Sequence, residues 1–552
     1  MFFRVKTSGP RRYLQIVENT RARGRVCQRV LATLGRLDQL QQSGHLDALL
    51  ASGARFAEHV LLLTAHHNGH APVVRTCCLG PALVFERLWR DTGCQAVVHQ
   101  LLHDRRFEFP VERAIFLSVL HRLCDPGSDR AALSWKGGHA VAGAEGLQLQ
   151  HLYRAMAWLG ESLPDDEQHG STKLVPRCTK DRIEEDLFAR RRDLFTELEV
   201  VFFDTTSLYF EGDGGESLGQ YGHSKDHRPD EHQLVVGAVL DGEGRPICCE
   251  LWPGNTADVT TLIPVVDRLW RRFRIRQVCV VADRGMVSQD TLTDLEQQGR
   301  PYIVGARMRA LAEVRDQVLA DRKRFRVVRG PRAHSTDPAP LKVKEVRVEG
   351  RRYVVCVNPE EVESDRAKRE AIVTALREQL RQGDKSLVGN KGYRRYLKVE
   401  GDGHFVIDEA KLQEEARYDG TWVLRTNTPL PTAEVALQYK KLALVEQWFR
   451  SCKSLLETRP IYHQRDATIR GHVFCSFLAL VLRQELQARL RARGRGSEWA
   501  EVMRDLEQLR YVDVEYQGKQ YRLRSEVQGT AGRVLQAAGV AVPPTVQQVE
   551  GK

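Results

Sequence analysis

Residues 198–204 read LEVVFFD, a run of β-branched and aromatic residues that stops at Asp204. Residues 277–283 read QVCVVAD and repeat the pattern, with Asp283 at the end of the apolar run. Short apolar runs rich in Val and Phe are typical of buried strands. In open α/β sheets, functional side chains gather at the carboxyl ends of strands. We therefore predict two core strands, each followed directly by an aspartate.

The segments between and after these runs predict a mixed α/β fold. Two strands, Gln233–Leu240 and Arg245–Trp252, are separated by the turn sequence DGEG and predict a hairpin. An amphipathic helix is predicted at Val259–Phe273, and a further helix and strand at Gln289–Gln298 and Tyr302–Gly305. The order strand, hairpin, helix, strand, helix, strand favours a mixed sheet covered by helices.

Periodicity and turn residues divide the 552 residues into five predicted parts. These parts are 1–165, a short β segment followed by helices; 195–306, the first part of the α/β core; 307–430, a mainly β insertion; 431–490, the second part of the core; and 491–552, a region without a predicted role. The predicted fold class is therefore mixed α/β, with a core interrupted by an insertion and preceded by a mostly helical region.

The charge balance suits a polyanionic partner. Lys and Arg number 83 and Asp and Glu number 72, which gives a formal net charge of +11. Bound cations release counterions from phosphates, so basic proteins gain affinity for nucleic acids. Many basic proteins bind no nucleic acid, and the excess charge alone leaves the partner open.

The sequence offers no segment suited to a membrane. The longest apolar run, residues 473–482, spans ten residues with Ser476 inside it, whereas a membrane helix needs about twenty. Arg4 and Lys6 stand where a secretory signal would be apolar. The twelve cysteines lack the spacing of zinc sites, so free thiols are expected. We predict a cytoplasmic protein.

Residues 439–453 read YKKLALVEQWFRSCK and lie in a predicted helix over Thr432–Glu457. Apolar residues at three- and four-residue spacings form one buried stripe: Leu442, Val445, Phe449, Cys452 and Leu456. Glu446 borders this stripe, and Arg450 and Lys453 follow on successive turns. The carboxylate could complete a metal site while the cations hold phosphates, or this face could be an exposed ladder of ion pairs.

Asp204 and Asp283 likewise have two interpretations. Carboxylates from two neighbouring strands can share a Mg²⁺ ion, which prefers oxygen ligands. An aspartate after a strand can also open a turn or cap the next helix. For each residue alone the second interpretation is favoured, whereas the presence of both on one predicted sheet favours the first.

The acids and the helix resemble the catalytic core of DDE transposases from bacterial insertion sequences, which has an RNase H-like fold. They are similar to the subgroup with a large β-strand insertion before the last acid and a Y-(2)-R-(3)-E-(6)-K signature. Tyr439, Glu446 and Lys453 match the Y, E and K of this signature, and Leu442 stands in place of its Arg. Other stretches that resemble the family are residues 203–207, 221–230, 254–258, 283–285 and 459–463.

The resemblance implies DNA cleavage and strand transfer by metal-dependent phosphoryl transfer. It implies that Asp204, Asp283 and Glu446 are catalytic and bind two Mg²⁺ (or Mn²⁺) ions. It implies contacts with double-stranded DNA for six side chains: Tyr439, Lys453, Arg450, Lys225, His227 and Arg228. The expected DNA comprises terminal inverted repeats, bound by the N-terminal region, and target DNA, and a homodimer is expected in the DNA complex.

Two basic clusters and one cap are interpreted alongside this resemblance. Asn255 and Asp258 are predicted to cap the helix that begins at Val259 rather than to bind a metal ion. The first cluster is interpreted as solvated charge rather than a phosphate track: Arg268, Arg271, Arg272, Arg274 and Arg276. The second cluster, in the insertion, is the better candidate for DNA contact because Asp321 is the only acid close to it in sequence: Lys323, Arg324, Arg326, Arg329 and Arg332.

Three other classes of protein share parts of this pattern. An RNase H-like nuclease would cut DNA without joining strands, and an inactive descendant would bind DNA without cutting it. A glycosidase-like hydrolase would use a pair of carboxylates without a metal ion. Metal dependence and strand joining distinguish these classes from a transposase.

Overall fold

The computed structural model describes residues 2–22, 25–46, 48–49, 74–168, 171, 175–191, 198–273, 277–335, 337–382, 396–400, 404–494, 496–516 and 519–549. The chain divides into two compact units. One comprises Met1–Thr76, Val512–Arg524 and Pro544–Lys552, and the other comprises Cys77–Tyr511 and Ser525–Pro543. Among the described residues, no helix combines the length and apolar character needed to cross a membrane.

The strands are labelled in chain order. They are β1 (Phe2–Ser8), β2 (Arg11–Ala22), β3 (Arg25–Arg36), β4 (Val74–Cys78), β5 (Leu198–Tyr209), β6 (Gln233–Leu240), β7 (Pro246–Pro253), β8 (Gln277–Ala282), β9 (Tyr302–Gly305), β10 (Arg326–Arg329), β11 (Leu341–Val348), β12 (Arg351–Val357), β13 (Leu397–Glu400), β14 (His404–Ile407), β15 (Thr421–Thr426), β16 (Arg510–Tyr516), β17 (Lys519–Arg524) and β18 (Val546–Val549).

The α-helices are identified by their bounds. They are Leu37–Gln42, Gly80–Asp91, Cys94–Leu102, Val111–Cys124, Asp129–Lys136, Leu149–Leu159, Thr179–Arg191, Leu262–Phe273, Gln289–Gln297, Pro359–Gln382, Glu409–Ala416, Thr432–Lys440, Ala443–Arg450, Asp466–Ala492, Trp499–Glu507 and Ala531–Ala538. Short turns of 3₁₀-helix lie at Asp165–Glu167, Asp258–Thr260 and Arg284–Met286, and π-helical turns lie at Val314–Val318 and Ser451–Leu455.

In the first unit, β1, β2 and β3 form an antiparallel sheet that matches the predicted short β segment. The helix Leu37–Gln42 follows this sheet. The predicted helical region that follows includes residues 51–73, which lie outside the described residues. In the second unit, helices resume at Gly80, where the sequence alternates between apolar and polar residues at helical spacing.

The second unit contains a nine-stranded sheet with the order β10-β11-β12-β15-β9-β8-β5-β6-β7. β5, β8 and β9 run parallel, and the other neighbouring strands are antiparallel. The predicted order strand, hairpin, helix, strand, helix, strand is present as β5, β6–β7, Leu262–Phe273, β8, Gln289–Gln297 and β9. The mixed α/β fold class is therefore confirmed.

Successive residues of β5 face two different helical layers. Phe202 belongs to the core that includes the helix Asp466–Ala492, and Phe203 belongs to the core that includes the helix Leu262–Phe273. Both side chains are completely buried. This double burial fixes the backbone position of the next residue, Asp204.

The prediction that β5 stops at Asp204 is wrong. Asp204 pairs with Ala238 of β6, and the pairing continues to Tyr209, opposite Gln233. The parallel pairing with β8 does stop near this point, at Phe203 opposite Ala282. Asp204 therefore marks the end of the contact with β8 but lies inside β5.

Residues 307–430 contribute strands to the same sheet. β15 pairs with β9, with Leu424 opposite Gly305, and β12, β11 and β10 follow outward. β13 and β14 form a separate two-stranded hairpin. The same region also contains the helices Pro359–Gln382 and Glu409–Ala416.

The prediction of one continuous helix over Thr432–Glu457 is wrong. The segment consists of Thr432–Lys440, a break around Leu442, the helix Ala443–Arg450 and the π-helical turn Ser451–Leu455. At the break, the backbone N–H of Val445 donates to Leu442 O. This hydrogen bond joins residues three positions apart, as in a 3₁₀-helix, whereas those of an α-helix join residues four positions apart. Leu442 is buried in the main core, so its side chain anchors the break.

Candidate active site

The three acids that the sequence singles out line one cleft in the second unit. Its volume is about 420 Å³, and its lining includes Asp204, Asp283 and Glu446. The remaining lining residues are Thr205, Thr206, Lys225, Asp258, Gly285, Met286 and Phe449. Three separate parts of the sequence thus bring carboxylates to one place.

The sheet and one helix position these carboxylates. The parallel register sets Phe203 opposite Ala282, so Asp204 and Asp283 are the next residues of two adjacent strands. Glu446 lies on Ala443–Arg450, the helix that packs on β5 and β6. Val445 and Phe449 of this helix are buried, and Glu446 between them is exposed.

Burial and neighbouring charge make Asp204 unusual. The pKa of its carboxyl is raised to about 6, chiefly by burial and to a smaller extent by nearby Asp283 and Asp258, while the Lys225 ammonium opposes the shift. The backbone N–H of Thr205 donates to Asp204 Oδ1 at 2.7 Å. A cleft that crowds carboxylates in this way favours a bound cation, because the cation removes their mutual repulsion.

Lys225 and Asp258 form an ion pair on the wall of the cleft. Lys225 Nζ lies 2.9 Å from Asp258 Oδ2 and donates to Thr205 O at 2.8 Å. The Thr205 hydroxyl donates to Asp258 Oδ1 at 2.7 Å. The interpretation of Asp258 as a simple helix cap is therefore wrong, because its side chain binds Thr205 and Lys225. The resemblance of residues 254–258 to the family was the sequence signal for this position.

Tyr439 contacts a carboxylate rather than solvent. Its hydroxyl donates to Asp283 Oδ1 at 2.9 Å, and burial together with Asp283 raises the pKa of this phenol. A Cβ at Gly305 would lie 2.7 Å from Tyr439 Oη, so a larger residue at this position would have to displace the hydroxyl. Tyr439 therefore binds Asp283 in this structure. The predicted contact between Tyr439 and DNA stays a prediction.

Lys453 also contacts a carboxylate, that of Asp226. Its ammonium donates to Asp226 Oδ1 at 2.8 Å, and Arg459 Nε lies 3.1 Å from Asp226 Oδ2. Burial lowers the pKa of Lys453, and Asp226 opposes that shift. Arg450, on the preceding helix, is exposed. Neither Asp226 nor Arg459 was predicted from the sequence as a partner of Lys453.

His227 and Arg228 lie on an exposed turn. His227 has a φ of 58°, in the left-handed region that non-glycine residues seldom adopt. Arg228 donates to Glu231 at 3.0 Å, and its guanidinium carbon lies 5.2 Å from the centroid of the Tyr209 ring. These side chains are accessible, and their contacts with DNA stay a prediction.

The first basic cluster is largely structural. The Arg272 side chain is 5% exposed and forms ion pairs with Glu184 at 2.6 Å and Glu250 at 3.1 Å. Arg268 also pairs with Glu250, at 3.0 Å. For these two residues the interpretation as solvated charge is wrong, because acids distant in sequence neutralise them. Arg271 is exposed, and the last two members, Arg274 and Arg276, lie outside the described residues.

The second basic cluster is mostly accessible. Lys323, Arg324 and Arg326 are exposed, at or beside the edge strand β10. Arg332 pairs with Glu360, with 3.4 Å between Nε and Oε2. The cluster therefore keeps exposed cations at the edge of the sheet.

A second group of potential metal ligands lies outside the cleft. Oxygen or nitrogen atoms of Asp129, His463 and His472 all lie within 4.8 Å of one another. Arg122 Nη2 lies 2.9 Å from His472 Nδ1, so this ring nitrogen already has a hydrogen-bond partner. This arrangement is typical of a buried polar network.

Comparison with known proteins agrees with the geometry. The family model described as transposase DDE domain matches residues 196–482, and that of the IS1634 family transposase N-terminal domain matches residues 3–64. The first match covers more than half of the chain and includes the three acids of the cleft. No curated protein matches this chain.

Several solved structures are similar to the chain at low identity. One is the piggyBac transposase synaptic complex with hairpin DNA, with 12% identity, coverage of 78% of this chain and 79% of that chain, and a TM-score of 0.37. Another is a pre-cleavage Mos1 transpososome, with 14% identity, 36% and 61% coverage and a TM-score of 0.14. A third is the Drosophila P element transposase strand transfer complex, with 13% identity, 73% and 86% coverage and a TM-score of 0.18.

The match to the DDE domain accounts for the observed core. It implies that the mixed sheet of the second unit is an RNase H-like fold and that activity depends on a divalent metal ion. Taken with the match of the N-terminal residues, it shows that the chain belongs to the DDE transposase family and is a transposase of the insertion-sequence type.

Proposed function

We propose that Asp204, Asp283 and Glu446 are the catalytic carboxylates and that they bind two Mg²⁺ (or Mn²⁺) ions. The observation that carries this proposal is that all three line one cleft. The donor set fits such ions, because carboxylate oxygens are the ligands that Mg²⁺ prefers. When bound, the ions would supply Lewis-acid stabilisation of the attacking and leaving oxygens during in-line displacement at phosphorus.

Neighbouring groups orient the two strand aspartates. The Tyr439 hydroxyl holds Oδ1 of Asp283, and the Thr205 N–H holds Oδ1 of Asp204. One oxygen of each carboxylate is thereby fixed, so the second oxygen can serve as a ligand. Glu446 is exposed on its helix and can approach the same ions as the DNA binds. These residues would prepare the cleft for cleavage and then for strand transfer.

The proposed DNA partners are the terminal inverted repeats and the target. His227, Arg228 and Arg450 are exposed and can bind phosphates of the DNA backbone beside the cleft. Lys225 lines the cleft and can bind a phosphate inside it. We assign end binding to residues 1–165 and divide the core into 195–306 and 431–490 around the insertion 307–430. Because an element has two ends, we propose a homodimer in the DNA complex, acting in the cytoplasm on nucleoid DNA.

A cleavage assay tests the catalytic assignment. The substrate is a labelled duplex that carries the DNA flanking the reading frame, incubated with Mg²⁺ and wild-type protein or one variant. Asp204→Asn, Asp283→Asn and Glu446→Gln should each abolish cleavage and strand joining while keeping DNA affinity, because each removes a ligand charge with little change in shape. The exposed Asp290→Asn, outside the cleft, is the matched control.

Two results would contradict the assignment. Near wild-type cleavage by any of the three variants would remove that residue from the site. Cleavage by the wild-type protein in EDTA would remove the metal ions from the proposal altogether.

A further inference from the structure

Asp226 binds two cations beside the cleft. Its Oδ1 accepts from Lys453, and its Oδ2 lies 3.1 Å from Arg459 Nε. The side chains of Asp226, Lys453 and Arg459 are 7%, 11% and 26% exposed. We call these three residues the Asp226 triad. The triad holds one more positive than negative charge in a poorly solvated place.

The contact between Asp226 and Arg459 is incomplete. Asp226 Oδ2 and Arg459 Nε are both buried, and among the described residues neither has a hydrogen bond of acceptable geometry despite their proximity. The Arg459 guanidinium also lies over the Tyr209 ring, 5.4 Å from its centroid, and Arg228 lies 5.2 Å from the same centroid. A third cation thus borders the triad. A buried donor and acceptor left in this state lower the stability of the pair.

The triad is adjacent to the cleft through the chain itself. Lys225, the residue before Asp226, lines the cleft, and Lys453 lies in the turn that follows the Glu446 helix. His227, the residue after Asp226, holds the left-handed conformation described above. The carboxylate is therefore presented by a strained turn rather than by a strand or helix.

We propose that Lys453 and Arg459 form a phosphate subsite and that Asp226 fills it until DNA binds. This inference rests on the proposed function, because the displacing phosphate would come from the DNA at the cleft. A guanidinium and an ammonium bind phosphate oxygens as they bind carboxylate oxygens. Asp226 therefore acts as an internal competitor, and it lowers the affinity of the subsite for any phosphate that cannot displace it.

The test is DNA binding by Asp226→Asn, which keeps the shape of the side chain and removes its charge. Binding to a terminal-repeat duplex is followed by fluorescence anisotropy in EDTA over a series of salt concentrations. We expect affinity to rise about fivefold at low salt and the salt dependence to steepen by about one phosphate contact. Asp230→Asn removes the same charge from a 71% exposed residue of the same loop and should change affinity less than about twofold.

A double variant tests whether a rise in DNA affinity depends on the cations of the Asp226 triad. Adding Lys453→Gln to Asp226→Asn should remove the gain. The proposal is overturned if Asp226→Asn binds no more tightly than the wild type, if Asp230→Asn gains as much, or if the gain survives Lys453→Gln.

If Asp226→Asn fails to fold, a variant of Arg459 tests the proposal instead. Arg459→Gln leaves Asp226 paired with Lys453, and it should weaken binding and reduce the salt dependence by about one contact. Unchanged affinity of this variant also overturns the proposal. Wild-type cleavage in Mg²⁺ is measured in parallel, so that a failed triad prediction with normal cleavage refutes only this inference.

Discussion

Replacing Asp204 with Asn should stabilise the metal-free protein at neutral pH. The carboxyl has an ordinary pKa of 3.8, and in the fold burial raises it to about 6. The folded protein therefore holds this proton more tightly than the unfolded chain. Ionisation as pH rises from about 4 to above 6 lowers the free energy of unfolding. Asn does not ionise, so the variant avoids this loss.

The size of the effect follows from the pKa. The difference between 3.8 and about 6 corresponds to roughly 3 kcal/mol at full ionisation, and this is an upper value because solvent at the open cleft screens the charge. Because the unfolding entropy grows with size, each kcal/mol shifts the melting temperature of a unit as large as Cys77–Tyr511 by about 1 °C. We therefore expect a rise of a few degrees at pH 8 and almost none near pH 4.

Differential scanning fluorimetry in EDTA from pH 4 to pH 8 measures this difference, with Asp290→Asn as the control. Mg²⁺ should then stabilise the wild type at pH 8 and leave Asp204→Asn nearly unchanged, because the ion binds only the folded site. A difference in melting temperature that is constant with pH would refute the reasoning. So would a variant less stable than the wild type at pH 8.

Three further substitutions probe other contacts. Tyr439→Phe removes the hydroxyl that holds Asp283, and we expect cleavage in Mg²⁺ to fall about tenfold with little change in thermal melting; full activity would exclude a positioning role. Leu442→Arg places a guanidinium in the core and should lower stability by several kcal/mol in urea unfolding, which an unchanged midpoint would contradict. Arg272→Met leaves buried Glu184 without the guanidinium 2.6 Å away and should cost about 3–5 kcal/mol; equal stability would show that this ion-pair network is dispensable.

Most core strands were predictable because their signal is local. The apolar run before Asp204 and the one before Asp283 are each buried on both faces, so burial is visible in consecutive residues. The extension of β5 beyond Asp204 was not predictable, since it depends on pairing with β6, about thirty residues away. Polar residues in that extension read as a turn when their partner strand is unknown.

The broken helix shows a second limit. The three- and four-residue spacing of apolar residues continues through Leu442 and Val445, and it is equally compatible with a straight helix or with two helices. The break at Leu442 depends on the core that receives this side chain. The apolar spacing predicts that Leu442 is part of the buried stripe, and the structure confirms its burial.

The site was predictable as a set of acids but not as a set of contacts. The signature identified Glu446, and the ends of the two apolar runs identified the two aspartates. The partners of the flanking residues come from distant segments: Tyr439 contacts Asp283, and Lys453 contacts Asp226. Such pairs are set by tertiary packing, and periodicity within one helix carries no information about them.

Metal-directed cleavage of the protein backbone tests whether Asp204, Asp283 and Glu446 bind the metal ions. Fe²⁺ replaces Mg²⁺ in the DNA-bound protein, and ascorbate with peroxide then produces hydroxyl radicals at the bound ion, which cut the nearby chain. The assignment of the ions to these acids predicts cuts beside Asp204, Asp283 and Glu446, suppressed by excess Mg²⁺. Cuts confined to the chain around His463 and His472, with none at the three acids, would contradict it.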